Sequence, residues 1–197
     1  INVNAKLPGP RRQLAWALPR AARVVAVSQP LADEVAALGV DRARIALVRN
    51  GVDAELFHPR DRAAARAALG LPQDARIALY VGNLKATKGV LDLVTAFAQV
   101  EDRAARLVMV GGGDERAAID AAAARDPRIL VMGPRPLPEV PQFLAACDVL
   151  ALASWAEGTP NVVLEALASG RRVVATAVGG IPDLIDAPLL GELVPAK

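Results

Sequence analysis

Seven short apolar runs, separated by alanine-rich stretches, govern what this chain can fold into. The runs are Val24–Ser28, Arg44–Val48, Arg76–Val81, Arg106–Gly111, Ile129–Met132, Val149–Ala153 and Val173–Ala177. They are continuous rather than alternating, the pattern of strands covered on both faces. Helix candidates lie between them at Pro30–Leu38, Ala63–Leu69, Gly89–Val100, Glu115–Arg125, Leu137–Ala146 and Pro160–Ser169. Alternation of this kind predicts βα repeats and a parallel sheet. Parallel crossovers are almost always right-handed, so the expected fold is α/β, a doubly wound, Rossmann-like parallel sheet. Only 3% of residues are aromatic while 53% are hydrophobic, so Ala, Val, Leu and Ile must build the core.

The regular repeat runs from Arg76 to Val178. The stretch from Asn50-Gly51-Val52-Asp53 to Pro59 interrupts it with a turn signal and an extended approach to proline. The expected division is residues 1–57, the end of a preceding domain plus a hinge, and residues 58–197, the Rossmann-like domain. Pro8, Pro10 and Pro19 argue against one long helix in the first 22 residues. The chain stops at Lys197 just after another strand candidate, so the second domain is expected to be trimmed at its C-terminus.

Several classes are disfavoured. The 23 basic and 21 acidic residues are interspersed and leave a net charge of +2, which does not suit nucleic acid. The single cysteine, Cys147, allows no intrachain disulfide and reads as a small buried side chain. One cysteine and one histidine (His58) leave little for a zinc site, and no metal is expected. No apolar run reaches the roughly 18 residues of a membrane span, and the N-terminus lacks a signal-peptide core. The expected location is the cytoplasm, and the alanine-rich composition suggests a GC-rich bacterial source.

In a parallel doubly wound sheet, ligands bind beyond the carboxyl ends of the strands. Those ends carry Gly82 to Gly89, Gly111 to Asp114, Gly133 to Pro136, Ser154 to Pro160 and Ala177 to Gly180. Thr159 reads as an N-cap with Pro160 at the first helical position, leaving the amides of Asn161, Val162 and Val163 for an anion such as a phosphate. Glu157 lies before this helix and Glu165 inside it, eight positions on. A carboxylate among Leu164, Ala166 and Leu167 is costly unless hydrogen-bonded, and sugar hydroxyls, ribose above all, could supply those bonds. On spacing alone, two ordinary helix-face glutamates fit equally well. Lys85 and Lys88 can each reach a diphosphate or simply stand in solvent. The Gly111-Gly112-Gly113 run fails the dinucleotide fingerprint because Arg116 stands where its third glycine belongs, and no P-loop is present.

Taken together, four blocks resemble the retaining glycosyltransferases of family 4, which have the two-Rossmann-domain GT-B fold. Val24-Val25-Ala26-Val27-Ser28 with Val48-Arg49-Asn50-Gly51-Val52-Asp53 resembles the end of the family's N-terminal domain. Tyr80-Val81-Gly82-Asn83-Leu84 with Lys88-Gly89 resembles the first donor-domain turn. Glu157 to Ala166 resembles the Glu-x7-Glu signature, and Val174 to Pro182 the block after it. The match spans about Arg23 to Val194.

The resemblance implies roles by position. Glu157 would hold hydroxyls of the transferred sugar, assisted by amides from Gly158, Thr159, Pro160 and Asn161. Amides near Val162, Val163 and Leu164 would face the phosphates. Glu165 would hold the ribose, and Lys88 the diphosphate leaving group. Gly82, Asn83 and Gly111 would line the donor, and Gly133 with Arg135 would flank the base. Asn83 stands where the family commonly has Arg, so a charge at the diphosphate is missing, with Lys85 as a substitute. The implied activity is transfer of a sugar, with retention, from a nucleotide-diphosphate sugar, without a metal or other cofactor. The acceptor, a sugar, lipid or small molecule, would bind mainly to the N-terminal domain, of which residues 1–57 would be a remnant. Peripheral membrane contact through that domain stays open. The chain alone is expected to bind donor weakly and not to turn over. The alternatives are a non-catalytic nucleotide-sugar-binding module and an epimerase or hydrolase on the same scaffold.

Overall fold

The computed structural model describes residues 8–196. The start of the 1–57 segment and Lys197 lie outside it. Two parallel sheets are present. The small one pairs β1 (Val24–Ala26) with β2 (Ile45–Leu47) around helix α2 (Gln29–Ala37). The large one contains β3 (Ile77–Val81), β4 (Arg106–Val110), β5 (Ile129–Gly133), β6 (Val149–Leu152), β7 (Arg172–Thr176) and β8 (Gly191–Val194). Its spatial order is β5-β4-β3-β6-β7-β8, with every pairing parallel. Numbered within the sheet this is 3-2-1-4-5-6, the doubly wound Rossmann order. The expected fold class is what the chain adopts.

Residues 8–20 hold more structure than their prolines suggest. Helix α1 (Pro8–Ala17) forms, followed by a 3-10 turn over Leu18–Arg20. Pro10 sits in the first helical turn, where no intrahelical N–H is required, and Pro19 falls in the tighter turn after α1.

The remaining helices are α3 (Arg62–Leu69), α4 (Val90–Phe97), α5 (Arg116–Arg125), α6 (Val140–Ala146) and α7 (Asn161–Ala168). Each starts and stops for a local reason where the signal is strong. The Asp61 carboxylate accepts from the Ala64 amide at 2.7 Å to open α3, and Gly70 closes it in the left-handed region at φ 66°.

The core is aliphatic. Leu79, Leu107, Met109, Ile119, Leu144 and Leu150 are fully buried between sheet and helices. At the amino ends of the strands, buried Arg66 donates to the Ala146 carbonyl and to Asp148, both at 2.9 Å. Asp148 also accepts from the Ile77 amide at 2.8 Å. That network locks α3 to β3 and β6 on the edge away from the ligand side, leaving the carboxyl edge free for other work. Cys147 is buried beside it, and desolvation pushes its thiol up to about 12, so it is not a reactive nucleophile.

The small unit has its own cluster, Val24, Val35 and Val40. It is tied to the large sheet by polar contacts. The Thr159 hydroxyl donates to the Val27 carbonyl at 3.0 Å, and Asn50 Nδ2 donates to Asn161 Oδ1 at 2.7 Å. No helix among the described residues is long and apolar enough to cross a membrane.

Candidate functional site at the switch point of the sheet

The strand order reverses between β3 and β6, and the two loops leaving those strands diverge to form a crevice. The β3 loop passes Gly82 and Asn83, makes a 3-10 turn over Ala86–Lys88 and enters α4 at Gly89. The β6 loop runs from Ala153 to Pro160 and enters α7. Backbone bonding links them, the Trp155 amide donating to the Thr87 carbonyl at 3.0 Å.

Glu157 stands at the centre. Lys88 Nζ donates to both of its carboxylate oxygens at 2.7 Å. The hydroxyl of fully buried Ser154 donates to Oε1, also at 2.7 Å. The Glu157 side chain is 8% exposed and that of Lys88 32%, so the pair sits at the floor of the crevice with the cation on the wetter side. A buried carboxylate without such partners would cost several kcal/mol. Behind it, Thr176 Oγ1 on β7 donates to the Ser154 carbonyl at 2.5 Å and the Gly180 amide to the Gly158 carbonyl at 2.6 Å. Gly179 must be glycine: its φ is 57°, and a methyl group there would overlap the Glu157 carbonyl oxygen.

Helix α7 follows, and here one expectation is corrected. Thr159 is not the N-cap. Its hydroxyl is taken by Val27, Pro160 holds the cap position without a side-chain bond, and Asn161 is the first helical residue. The Val163 amide is used too, donating to the Pro160 carbonyl at 3.1 Å. The amides of Asn161 and Val162 are the ones left without a protein acceptor among the described residues. Glu165 lies a turn further on, half-buried, with no donor from the described residues. Burial raises its pKa above the ordinary glutamate value.

The other sequence-predicted residues line one edge. Gly111 follows β4, packed so closely that a methyl group on it would overlap the Gly82 carbonyl, and its amide donates to the Gly133 carbonyl at 2.9 Å. Gly133, Gly111, Gly82, Lys88 and Glu157 therefore follow one another along the carboxyl edge. Arg135 is brought to this edge but turned aside: its Nε donates to the Met132 carbonyl at 3.2 Å, Nη1 lies 3.5 Å from Glu139, and its guanidinium stands 5.9 Å above the Phe143 ring. Lys85 is exposed, so its ammonium is not built into the crevice floor.

Three residues at the crevice were not singled out as site residues in the sequence. Ser154 was legible as a polar residue at the end of an apolar strand. Arg116, paired with Asp120 at 2.8 Å, reaches over Gly133. Tyr80 lies inside β3 and looks like core. A cleft of about 200 Å³ between α2 and the Glu157 turn adjoins the pair and is lined by Ser28, Leu31, Glu34, Trp155, Glu157 and Gly179. It places the small unit's helix beside the central carboxylate.

A Rossmann-ordered sheet with a lysine–carboxylate pair and a helix start at its switch point is the architecture of a nucleotide-binding domain. Comparison with known proteins narrows the class. A family model described as glycosyl transferases group 1 matches residues 75–197, and one described as glycosyltransferase family 4 matches residues 3–56. The chain belongs to this family. It is similar to the D-inositol 3-phosphate glycosyltransferase of Mycobacterium tuberculosis, with 35% identity over 164 residues, 79% of this chain and 34% of that protein. Among solved structures it is similar to Anabaena HepE in complex with UDP (TM-score 0.84, 26% identity, 95% of this chain and 53% of that one). It is also similar to sucrose-phosphate synthase of Thermosynechococcus elongatus (TM-score 0.80, 30% identity, 99% and 52%). The chain spans about a third of the length of the curated relatives it matches. The GT-B likeness agrees with the fold expected from the four sequence blocks.

Proposed function

We propose that this chain binds the donor of a glycosyl transfer, a nucleoside-diphosphate sugar, in the crevice between the β3 and β6 loops. The observation that carries this reading is the bidentate Lys88–Glu157 pair at the switch point. It puts a cation and a sugar-hydroxyl acceptor within one hydrogen bond of each other. A departing diphosphate needs positive charge, and Lys88, held against nearly buried Glu157, supplies it. Glu157, held by Ser154 from behind, accepts from hydroxyls of the transferred sugar. The amides of Asn161 and Val162 add the helix-terminus field at a phosphate. Glu165, half-buried and without a protein donor, takes the ribose hydroxyls. With lysine and amides carrying the charge, the reading requires no metal.

The finer proposals follow the family resemblance. Transfer proceeds with retention, in a bacterial cytoplasm. Residues 58–197 form the donor unit, and the acceptor, a sugar, lipid or small molecule, binds mainly on the unit to which residues 1–57 belong. Turnover then needs both units. Uridine is the proposed base, because UDP and UDP-glucose are bound in crystals of the similar Anabaena protein.

A thermal-shift panel tests the reading, using UDP-, GDP- and ADP-sugars with NAD as control. Ligand at about 100 times its dissociation constant stabilises by about 2.7 kcal/mol. The expected result is a shift with UDP-sugars that Glu165→Ala abolishes. A shift with NAD alone would overturn it. For retention, an inverted anomeric signal in the NMR spectrum of the product would be decisive against.

A further inference from the structure

Tyr80 is 1% exposed on the central strand β3, and its side chain ends at the turn that opens the crevice. Its hydroxyl donates to the Asn83 carbonyl at 2.8 Å. The N–H of the same peptide unit, that of Leu84, donates to the Gly112 carbonyl at 2.9 Å. This peptide plane is pinned at both ends. The plane before it is fixed by packing, because the Gly82 carbonyl oxygen lies against Gly111 Cα. In a trans peptide the N–H points opposite its carbonyl, so the Asn83 N–H is directed away from β4. That is the side on which β6, Glu157 and Lys88 lie.

Three neighbouring amides are in use. Gly82 donates to Val110 at 3.0 Å, Leu84 to Gly112, and Lys85 to Asn83 at 3.0 Å. The Asn83 N–H has no acceptor among the described residues, and Asn83 is exposed. An unused donor whose flanking peptide planes are held is a preorganised contact, which loses little freedom when a ligand arrives.

We infer that the Tyr80 hydroxyl is a positioning group for phosphate recognition: it holds the Asn83 turn so that the Asn83 N–H meets the outer phosphate of a nucleoside diphosphate. The inference rests on the donor-binding reading and deepens it. Tyr80 itself touches no ligand. Its burial, and then the charge of Glu157, hold the phenol well above its ordinary value, so it remains a donor throughout the neutral range. The role also bears on Asn83, which has no charge to offer: here the backbone, rather than the side chain, makes the contact.

Calorimetric titration of the 197-residue chain with UDP and with UMP, in wild type and Tyr80→Phe, tests this. The expected result is a loss of about five- to tenfold in UDP affinity in the variant, the effect of loosening a contact to a charged group by removing the neutral hydrogen bond that positions it, with UMP affinity held within about twofold. Unchanged UDP affinity overturns the inference, and so does a parallel loss for UDP and UMP, which is the mark of a general packing defect. A second measurement needs no variant. In ¹⁵N-labelled wild type, the Asn83 amide proton should move downfield with UDP and not with UMP. An unmoved Asn83 resonance, while others respond to UDP, overturns the inference alone. Wild type that binds neither nucleotide overturns the donor reading and this inference with it.

Discussion

Glu157 and Glu165 are the same residue type, eight positions apart, on either side of one helix start, and the fold treats them oppositely. Glu157 is nearly covered and fully engaged, by Lys88 from the β3 loop and Ser154 from its own. Glu165 is half-covered and has no donor from the described residues. The difference lies in origin: Glu157's partners come from a neighbouring strand's loop and from its own loop and are present before any ligand, whereas Glu165 sits on a regular helix with mainly apolar neighbours. A carboxylate satisfied in advance can orient a ligand without being reorganised. One left unsatisfied lowers stability and gains its bonds only when a ligand provides them.

Four substitutions would break or sharpen this contrast, in descending order of expected effect. Gly179→Ala strikes the support of Glu157. The strained φ and the overlap with the Glu157 carbonyl should destabilise the fold by about 3 kcal/mol, measured by urea unfolding. A near-neutral result would mean the Glu157 loop is not held as tightly as described.

Lys88→Met removes one partner of the buried pair. Ser154 still holds Glu157, and Lys88 is a third exposed, so the stability loss should be about 2 kcal/mol rather than the larger figures for fully buried pairs. UDP affinity should fall by about ten- to a hundredfold, the range for hydrogen bonds to a charged group. Affinity within about twofold of wild type would detach the pair from phosphate recognition.

Glu165→Gln should separate stability from binding. UDP affinity is expected to drop about tenfold. Stability should rise slightly at neutral pH. The sign follows from the raised pKa: the folded state favours the protonated acid, so the wild type is best at pH below the unfolded-state value of the group. It loses stability as the pH climbs through the higher folded value. The glutamine variant lacks that loss, so its advantage in melting temperature should be present at pH 7 and vanish near pH 4. An advantage independent of pH would show that the carboxylate's charge is not the cause.

The smallest effect is expected for Asn50→Ala, which deletes a partly exposed tie between the small unit and the start of α7. About 0.5–1 kcal/mol is expected, with UDP affinity unchanged. A large loss of affinity would mean that the small unit helps to set Asn161 and the free amides beside it.

Much of the fold was legible because its signal is local. The core strands of the large sheet appear as apolar runs, and Asp61 with Gly70 marks both ends of α3 by ordinary capping chemistry. Helix α1 is obscured in the sequence because proline is ordinarily a helix breaker, although in a first turn it costs nothing. Thr159 has the local pattern of a cap but does not act as one, because its hydroxyl has a competing partner that no local pattern reveals, the Val27 carbonyl 132 positions away. Ser154 could be suspected from its place at a strand end. The hydroxyl of Tyr80 could not, since an aromatic in an apolar strand reads as core whatever its tip touches.

By itself, the sequence determined the βα alternation, the glycine-marked strand ends and the spacing of the two glutamates, since periodicity, turn chemistry and helix register act over a few residues. Only the tertiary structure decided which glutamate would be paired. Lys88 and Glu157 are 69 positions apart and meet because β3 and β6 are neighbours at the switch point, a fact of strand order. Burial then made the consequences unequal: desolvation is compensated at Glu157 by a lysine and a serine, and uncompensated at Glu165 until something else supplies the hydrogen bonds.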